Sequence, residues 1–424
     1  MQNECIFIEQ SLNLHGELTS IGAKNAVLVI MASLVLTTGK SQLTNVPASV
    51  DVYQMIALLK DLGAQVTFNE LSQILDVDTS TINNYRVSPD IMKKMRASIL
   101  VMGPLLARYG QAHIALPGGC LIGARPIDLH LKAFARMGAS IEITGDYLNA
   151  RAVMLQSQKF ILEYPSVGAT ENIVMAAVLT PGTTRIVNAA LEPEVFDLIG
   201  VLRAMGAKIN IIPSATIEIE GVTELQPITY TIMPDRLEAG TLLLAAAITG
   251  GHINLPQAPA YALEVFLDKL DEMGHHIIIG AGGIGITLKA NKNPKAVSFK
   301  TMPYPGFPTD LQAPMMAALC LSSGSSIIHE TVFENRMLHV RELQKMGAQI
   351  TLDGNCAIIK GVDELYGAQV IATDIRASAA LVIAGMAAKG ATTITGVHHL
   401  QRGYQGLEKK LSDLGAKITI RKNS

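Results

Sequence analysis

LKDLGAQVTF (59–68) returns five more times along this 424-residue chain, as FARMGASIEI (134–143), LRAMGAKINI (202–211), LDEMGHHIII (270–279), LQKMGAQITL (343–352) and LSDLGAKITI (411–420). Each copy reads as a helix end, then Met or Leu, Gly, and a strand. The six glycines, Gly63, Gly138, Gly206, Gly274, Gly347 and Gly415, stand about 70 residues apart. Gly just past a helix is the common left-handed cap. After most copies a hairpin follows. ITLDGNCAIIKG (350–361) turns at Asp353-Gly354, and IIIGAGGIGITL (277–288) turns among its glycines. The Gly280–Gly285 cluster precedes a strand and not a helix, so it reads as a turn and not as a nucleotide loop.

Roughly 40 residues ahead of each Gly lies a second, more apolar helix. The six cover 23–37, 96–109, 170–179, 236–248, 311–321 and 375–388. A helix apolar on nearly every face must be buried. Each unit then runs strand, buried helix, strand, amphipathic helix, hairpin. The expectation is an α/β protein of two similar domains, each of three repeated units with buried helices surrounded by sheets. The domains are expected at 1–21 plus 234–424 and at 22–233.

Composition excludes several classes. Hydrophobic residues make up 49% and charged residues 17%, ample for large cores. The apolar runs 26–36 and 242–248 are too short to span a bilayer. Residues 1–20 are polar, so no secretory signal is expected. A net charge of −2 argues against a nucleic-acid partner. Four widely spaced cysteines (Cys5, Cys120, Cys320, Cys356) give neither a disulfide framework nor a metal cluster, and HExxH and CxxC are absent. A cytoplasmic protein with reduced thiols, no metal, no membrane contact and no obligatory protein partner is expected.

One cysteine is singled out by its setting, LPGGCLIGARP (116–126). A short strand (111–116) precedes it, and a helix (127–137) with an apolar face follows. Cys120 therefore sits in a loop that feeds a helix N-terminus. Pro126 suits the first helical turn. Arg125 stands beside the free N–H groups and the positive end of the dipole, where an anion would bind. The same field favours a reactive thiolate. The competing reading is a tight turn carrying an inert thiol.

Polar residues collect where the buried helices begin: Lys24-Asn25, Arg96, Thr170-Glu171-Asn172, Asp235-Arg236, Thr309-Asp310 and Asp374-Ile375-Arg376. Arg125, Arg336 and Arg402 precede amphipathic helices. Helices running alike would point these starts to one side, lining a cleft with Lys24, Arg96, Arg125, Arg336, Arg376, Arg402, Asp310 and Asp374. Such a surface suits a substrate with several negative charges. Asp310 and Asp374 also qualify as plain N-caps, worth about 1 kcal/mol each. Arg336 could instead pair with Glu334. His398-His399 reads as loop and His130 as packing. Arg96 and Arg376 at helix starts oppose the dipole, a cost that points to function.

Specific phrases follow one another in order: GAKNA (22–26), MRAS (95–98), LPGGCLIGARPIDLH (116–130), SVGATEN (166–172), PTDLQAP (308–314), VFENRMLHV (332–340), TDIRAS (373–378) and QRGY (401–404). Over its whole length the chain resembles the UDP-N-acetylglucosamine 1-carboxyvinyltransferase family of enolpyruvyl transferases. The resemblance implies two inside-out α/β barrels of three repeats each. It implies transfer of the enolpyruvyl group of phosphoenolpyruvate to the 3′-hydroxyl of UDP-N-acetylglucosamine, with release of phosphate, at the start of peptidoglycan synthesis. The route is addition through a tetrahedral ketal, then elimination, with no cofactor. It implies that Cys120 donates the proton to the methylene and is the residue alkylated by fosfomycin, and that Asp310 is the base. Lys24, Asn25, Arg125 and Arg402 are implied around phosphoenolpyruvate. Arg96, Arg125, Pro126, Ile127, Asp128, Leu129, Ser166, Val167, Gly168, Asp310 and Val332 are implied around the UDP-sugar. Arg336, Asp374 and Arg376 are implied near the chemistry.

Two stretches depart from the family pattern. LQRGYQ lacks the acidic residue that many members place before the Arg, and Glu163-Tyr164 stands where some have a Lys near the uracil. The sister enzyme acting on shikimate 3-phosphate shares the expected fold but lacks the cysteine loop. A non-catalytic UDP-sugar binder would be marked by loss of Lys24, Cys120, Asp310 or Arg402; all four are present.

Overall fold

A computed structural model describes residues 4–115 and 127–422. All six repeated glycines adopt φ between 89° and 107°. In each copy the Gly N–H bonds the carbonyl three residues back, as in Gly63 to Lys60 at 3.0 Å. The next N–H bonds the carbonyl five back, as in Ala64 to Leu59 at 2.9 Å. This is the Schellman cap, which ends the amphipathic helix and turns the chain into a strand.

The strands form six four-stranded sheets of one plan. In the sheet of Phe299–Lys300, Ser325–His329, Cys356–Lys360 and Gln349–Asp353, the first pair is parallel and spans the buried helix. The hairpin then adds two antiparallel strands. Among the described residues the six sheets are separate and none closes into a barrel. Three strands come from outside their own repeat. Thr229–Thr231 pairs with Lys40–Thr44, His15–Glu17 with His252–Pro259, and Glu4–Glu9 lies between Ala391–Thr395 and Lys417–Lys422. The glycine cluster at 280–285 is a hairpin turn between His276–Ile279 and Ile284–Lys289.

The chain divides into two compact units, one of residues 22–115 and 127–233, the other of residues 4–21 and 234–422. Each has its own core. In the second unit, helices Arg236–Thr249, Gln312–Leu319 and Ile375–Ala387 pack on one another. Their close approach needs a glycine, because a Cβ on Gly240 would meet Leu311 Cδ1 at 2.5 Å. In the first unit the buried helices are Lys24–Ser33, Met102–Tyr109 and Val167–Ala177. The helix expected at 96–109 is split: Arg96–Val101 is a 3-10 stretch, and the α-helix starts at Met102. The cause is a side chain from another element. The Gly103 N–H bonds Asn172 Oδ1 at 2.7 Å, and Asn172 Nδ2 bonds the Ile99 carbonyl at 3.0 Å. An α-helix would join Gly103 to Ile99 directly, so the Asn172 amide is inserted into the ladder.

Candidate active site

In the first unit, Lys24 opens the Lys24–Ser33 helix. Its ammonium lies 3.3 Å from Asp51 Oδ2, and both side chains are largely buried (12% and 5% exposed). Asp51 sits in the first turn of the Val50–Asp61 helix, which Ser49 caps by accepting the Val52 N–H. Asn25 is exposed. Arg96 begins the 3-10 stretch. Ser166 caps the Val167–Ala177 helix, accepting the Ala169 N–H at 3.4 Å, so Val167 and Gly168 form its first turn. Ile127 immediately precedes the Asp128–Arg136 helix, and Asp128 and Leu129 begin it. Asp128 pairs with Lys132 at 3.3 Å. His130, expected as packing, is buried and takes a hydrogen bond from Asn172 at 3.0 Å. Cys120, Arg125 and Pro126 lie outside the described residues. Of the three described thiols, Cys5 and Cys320 are buried and Cys356 is partly exposed. Burial pushes the Cys320 thiol up to about 12, which keeps it unreactive.

The second unit holds a dense polar network. Asp310 is gripped by two guanidiniums: Arg336 Nη2 donates to Oδ1 and Arg376 Nη2 to Oδ2, each at 2.6 Å. Both arginines are buried, whereas the Asp310 side chain is 24% exposed. Burial alone would raise its carboxyl. The charges of Arg376 and Arg336 and their hydrogen bonds outweigh that and hold it well below the usual carboxylate range. Arg336 therefore pairs with Asp310 and not with its sequence neighbour Glu334. Its Nη1 reaches Thr309 Oγ1 at 2.8 Å.

The two aspartates expected as alternatives to caps separate cleanly. Asp374 is an N-cap, accepting the Arg376 and Ala377 N–H groups at 2.8 and 3.0 Å. Asp310 lies inside the turn Thr309–Leu311 and caps nothing by its side chain. The Asp374 cap also answers the cost of placing Arg376 at a helix start. Arg402 stands in the last turn of Val397–Gly403, a short helix that sequence patterning did not show. That is where a cation complements the dipole. His398 and His399 lie in the first turn of this helix with ring centroids 4.0 Å apart and planes tilted by 38°, which corrects their expected loop placement.

Sequence reading gave no role to three residues. Glu330 is fully buried and accepts from Thr301 Oγ1, from Thr309 Oγ1 and from the N–H groups of Val332 and Phe333. It thereby fixes Val332 and the Thr309 hydroxyl that receives Arg336. Tyr404, buried, accepts from Arg376 Nη1 at 2.8 Å and meets the Thr241 hydroxyl at 3.0 Å. Asn172 is the third. A charged residue directly after an apolar strand was the available signal for Glu330, and the QRGY phrase for Tyr404. Among the described residues no group of His, Cys, Asp or Glu is arranged to hold a metal ion.

The chain has relatives among known proteins. The family described as EPSP synthase (3-phosphoshikimate 1-carboxyvinyltransferase) matches residues 8–411. The UDP-N-acetylglucosamine 1-carboxyvinyltransferase of Dichelobacter nodosus is 50% identical over 405 residues, 96% of each chain. That of Saccharophagus degradans is 47% identical over 414 residues, 97% of this chain and 98% of its own. Among solved structures, the enolpyruvyl transferase NikO from Streptomyces tendae superposes with a TM-score of 0.90 at 25% identity over all of both chains. EPSP synthase from Acinetobacter baumannii, 17% identical, gives 0.78 over 99% of this chain and all of its own, a likeness of fold alone. About half of all residues are shared with the two carboxyvinyltransferases over nearly the full length, on an enolpyruvyl transferase fold, and the chain therefore belongs to the UDP-N-acetylglucosamine 1-carboxyvinyltransferases within the wider EPSP synthase family.

Proposed function

We propose that this chain moves the enolpyruvyl group of phosphoenolpyruvate onto the 3′-hydroxyl of UDP-N-acetylglucosamine and releases phosphate, opening peptidoglycan synthesis in the cytoplasm. The observation that carries the reading is the Asp310 carboxylate held between Arg336 and Arg376, each at 2.6 Å, in a chain about half identical to enzymes of that name. Among the described residues no helix is long and apolar enough to cross a membrane, which suits two polar, small-molecule substrates.

The roles are divided as follows. Cys120 gives a proton to the methylene carbon of phosphoenolpyruvate while the sugar hydroxyl attacks the neighbouring carbon and loses its proton to Asp310. The tetrahedral ketal then loses a methyl proton back to the Cys120 thiolate as the C–O bond to phosphate breaks, and phosphate leaves with the proton that Asp310 had taken, restoring the double bond and both side chains. Protonating carbon needs a positioned acid. The charge that develops at the ketal carbon needs fixed charges around it. Lys24, Asn25, Arg125 and Arg402 hold phosphoenolpyruvate. Arg96, Arg125–Leu129, Ser166–Gly168 and Val332 hold the UDP-sugar, the phosphates meeting the donors at helix starts. No cofactor enters these steps.

Asp310 requires one adjustment to serve as base. With both oxygens bonded to arginine it is a weak proton acceptor. An anionic substrate that draws one guanidinium to itself frees one oxygen and raises the basicity of the carboxylate at the moment of need. Substrate binding and base activation are then the same event.

Phosphate release from phosphoenolpyruvate, measured with UDP-N-acetylglucosamine and separately with shikimate 3-phosphate, tests the reading. Turnover with the first acceptor alone is expected; turnover with the second alone would replace it with the sister reaction. Cys120→Ser is expected to abolish fosfomycin labelling and strongly impair turnover, and an unaltered variant would remove Cys120 from the mechanism.

A further inference from the structure

Asn172 lies on the Val167–Ala177 helix, fully buried, and its one amide group makes three hydrogen bonds to three other elements. Oδ1 accepts the Gly103 N–H at 2.7 Å. Nδ2 donates to the Ile99 carbonyl at 3.0 Å and to His130 Nδ1 at 3.0 Å. The two backbone groups are the pair that an α-helix would join to each other. The amide therefore sits at the junction where the tighter winding of the 96–101 stretch gives way to the α-helix at Met102.

The surroundings are shaped for this insertion. A Cβ on Gly103 would come within 2.5 Å of both Asn172 oxygens, so the segment can approach the amide only through glycine. The His130 ring stands over Gly168, where a Cβ would lie 3.3 Å from Cε1. His130 is the third residue of the helix that starts at Asp128 and Leu129. One buried amide thus ties together three separate stretches: the turn that starts at Arg96, the helix start at Asp128–Leu129, and the first turn at Ser166–Gly168. These are stretches to which the reading above gives the UDP-sugar.

We propose that Asn172 is a positioning residue for the sugar-nucleotide subsite, acting through the Gly103–Ile99 insertion and through His130. It touches no substrate. It sets the mutual register of three stretches whose donors must meet one diphosphate and one base. A misplacement of an ångström among such donors weakens the ligand they share without affecting groups held elsewhere. Lys24 and Asn25, assigned to phosphoenolpyruvate, have no bond to this amide in the structure. The inference rests on the proposed substrate, and its test separates the two.

The test is Asn172→Leu, which keeps much of the volume and removes all three bonds. Gly103 and Ile99 can then close on each other, so the segment has a folded alternative. Calorimetric titration with UDP-N-acetylglucosamine is expected to show binding about tenfold weaker than wild type. The KM for phosphoenolpyruvate is expected to stay within about twofold. A lowered melting temperature with both constants unchanged would overturn the proposal, since a merely structural amide gives that result. A variant that does not fold is replaced by His130→Ala, which leaves the Gly103–Ile99 insertion in place. Weaker sugar-nucleotide binding with phosphoenolpyruvate unaffected supports the proposal there, and unchanged binding overturns it. Failure of the wild-type protein to bind UDP-N-acetylglucosamine would count against the proposed function itself. The ratio of variant to wild type speaks to Asn172.

Discussion

Arg376 donates from Nη1 to the buried hydroxyl of Tyr404 at 2.8 Å, while its Nη2 holds Asp310 at 2.6 Å. The direction of the bonds beyond Tyr404 follows from the donors available. Thr241 spends its hydrogen on the Leu237 carbonyl at 2.8 Å, so its oxygen receives the Tyr404 hydroxyl proton. The chain runs from guanidinium to phenol to threonine to backbone, with every hydrogen used once. Burial pushes the Tyr404 phenol above its ordinary value, more than Arg376 lowers it, and keeps the hydrogen in place.

Tyr404→Phe removes one oxygen and leaves Arg376 Nη1 buried without that acceptor. A loss of about 1–3 kcal/mol in stability is expected from the stranded donor. Because Arg376 is also half of the grip on Asp310, turnover is expected to fall by about tenfold with UDP-N-acetylglucosamine binding retained. Thermal melting together with steady-state kinetics checks both. Turnover equal to wild type would show that Arg376 keeps its place without Tyr404.

Asp310→Asn replaces the one carboxylate between two buried guanidiniums with a neutral amide. Removing one partner of a buried ion pair costs about 3–5 kcal/mol, and removing a general base costs about 10² to 10⁴ in rate. The variant is expected to melt lower and turn over slower by those amounts, yet to bind UDP-N-acetylglucosamine. In the wild-type protein, Asp310 stays ionised to below its ordinary 3.8. Its protonation therefore contributes no acid limb to kcat/KM above about pH 4. A limb near pH 6 would have to arise from another group, and its disappearance in Asp310→Asn would contradict the assignment.

The fold was readable where physics is local. A Schellman cap needs a left-handed residue at one position, so six copies of Met/Leu-Gly marked six helix ends correctly. The sheet order was not local: Thr229–Thr231 completes a sheet begun at Lys40, and no periodicity in either stretch shows the pairing. The site divides in the same way. Asp374 looks like a cap and is one, because a cap bonds the next three residues. Asp310 looks the same in sequence, but its partners Arg336 and Arg376 lie 26 and 66 residues away. Arg336 has Glu334 as an apparent partner two residues off, and only the packed structure gives it Asp310. Asn172 reads as one more polar residue at a helix start. Its effect is visible only as the broken helix at 96–109.

The glycine caps allow a graded prediction. At Gly206, φ is 107° and nothing lies within 4 Å of a Cβ, so Gly206→Ala pays for backbone conformation alone, about 1–2 kcal/mol. At Gly63, φ is 100° and a Cβ would also meet the Thr81 carbonyl at 2.9 Å and Asn83 Oδ1 at 2.8 Å. Gly63→Ala is expected to cost more by a further ~1 kcal/mol or greater. Denaturant melts of the two variants give the comparison. Equal losses would mean that the cap region around Gly63 shifts to admit the methyl without strain.

Two buried groups give stability opposite dependences on pH. His275 accepts the Asn291 N–H on Nδ1 at 3.0 Å, and burial lowers it from 6.5 to about 4. The folded state therefore binds its proton less well than the unfolded chain does. Stability from this group is complete above about pH 6.5 and is lost as pH falls toward 4, to an extent on the order of 3 kcal/mol. Asp197 is pushed up to about 6 by burial, against the pull of the Met233 N–H and the Tyr230 hydroxyl. Its sign is reversed: the contribution is complete below about pH 4 and is lost as pH rises through 6. The two partly cancel in the whole-protein curve between pH 4 and 6, so that curve alone assigns neither. His275→Gln isolates the first. Any fixed cost of the substitution shifts its curve uniformly, whereas removal of the titrating ring changes the slope. Denaturant melts at half-unit steps from pH 7.5 to 4 are expected to show the gap between wild type and variant shifting in favour of the variant as pH falls. A gap that stays constant across that range would mean that His275 takes up its proton without unfolding the protein around it.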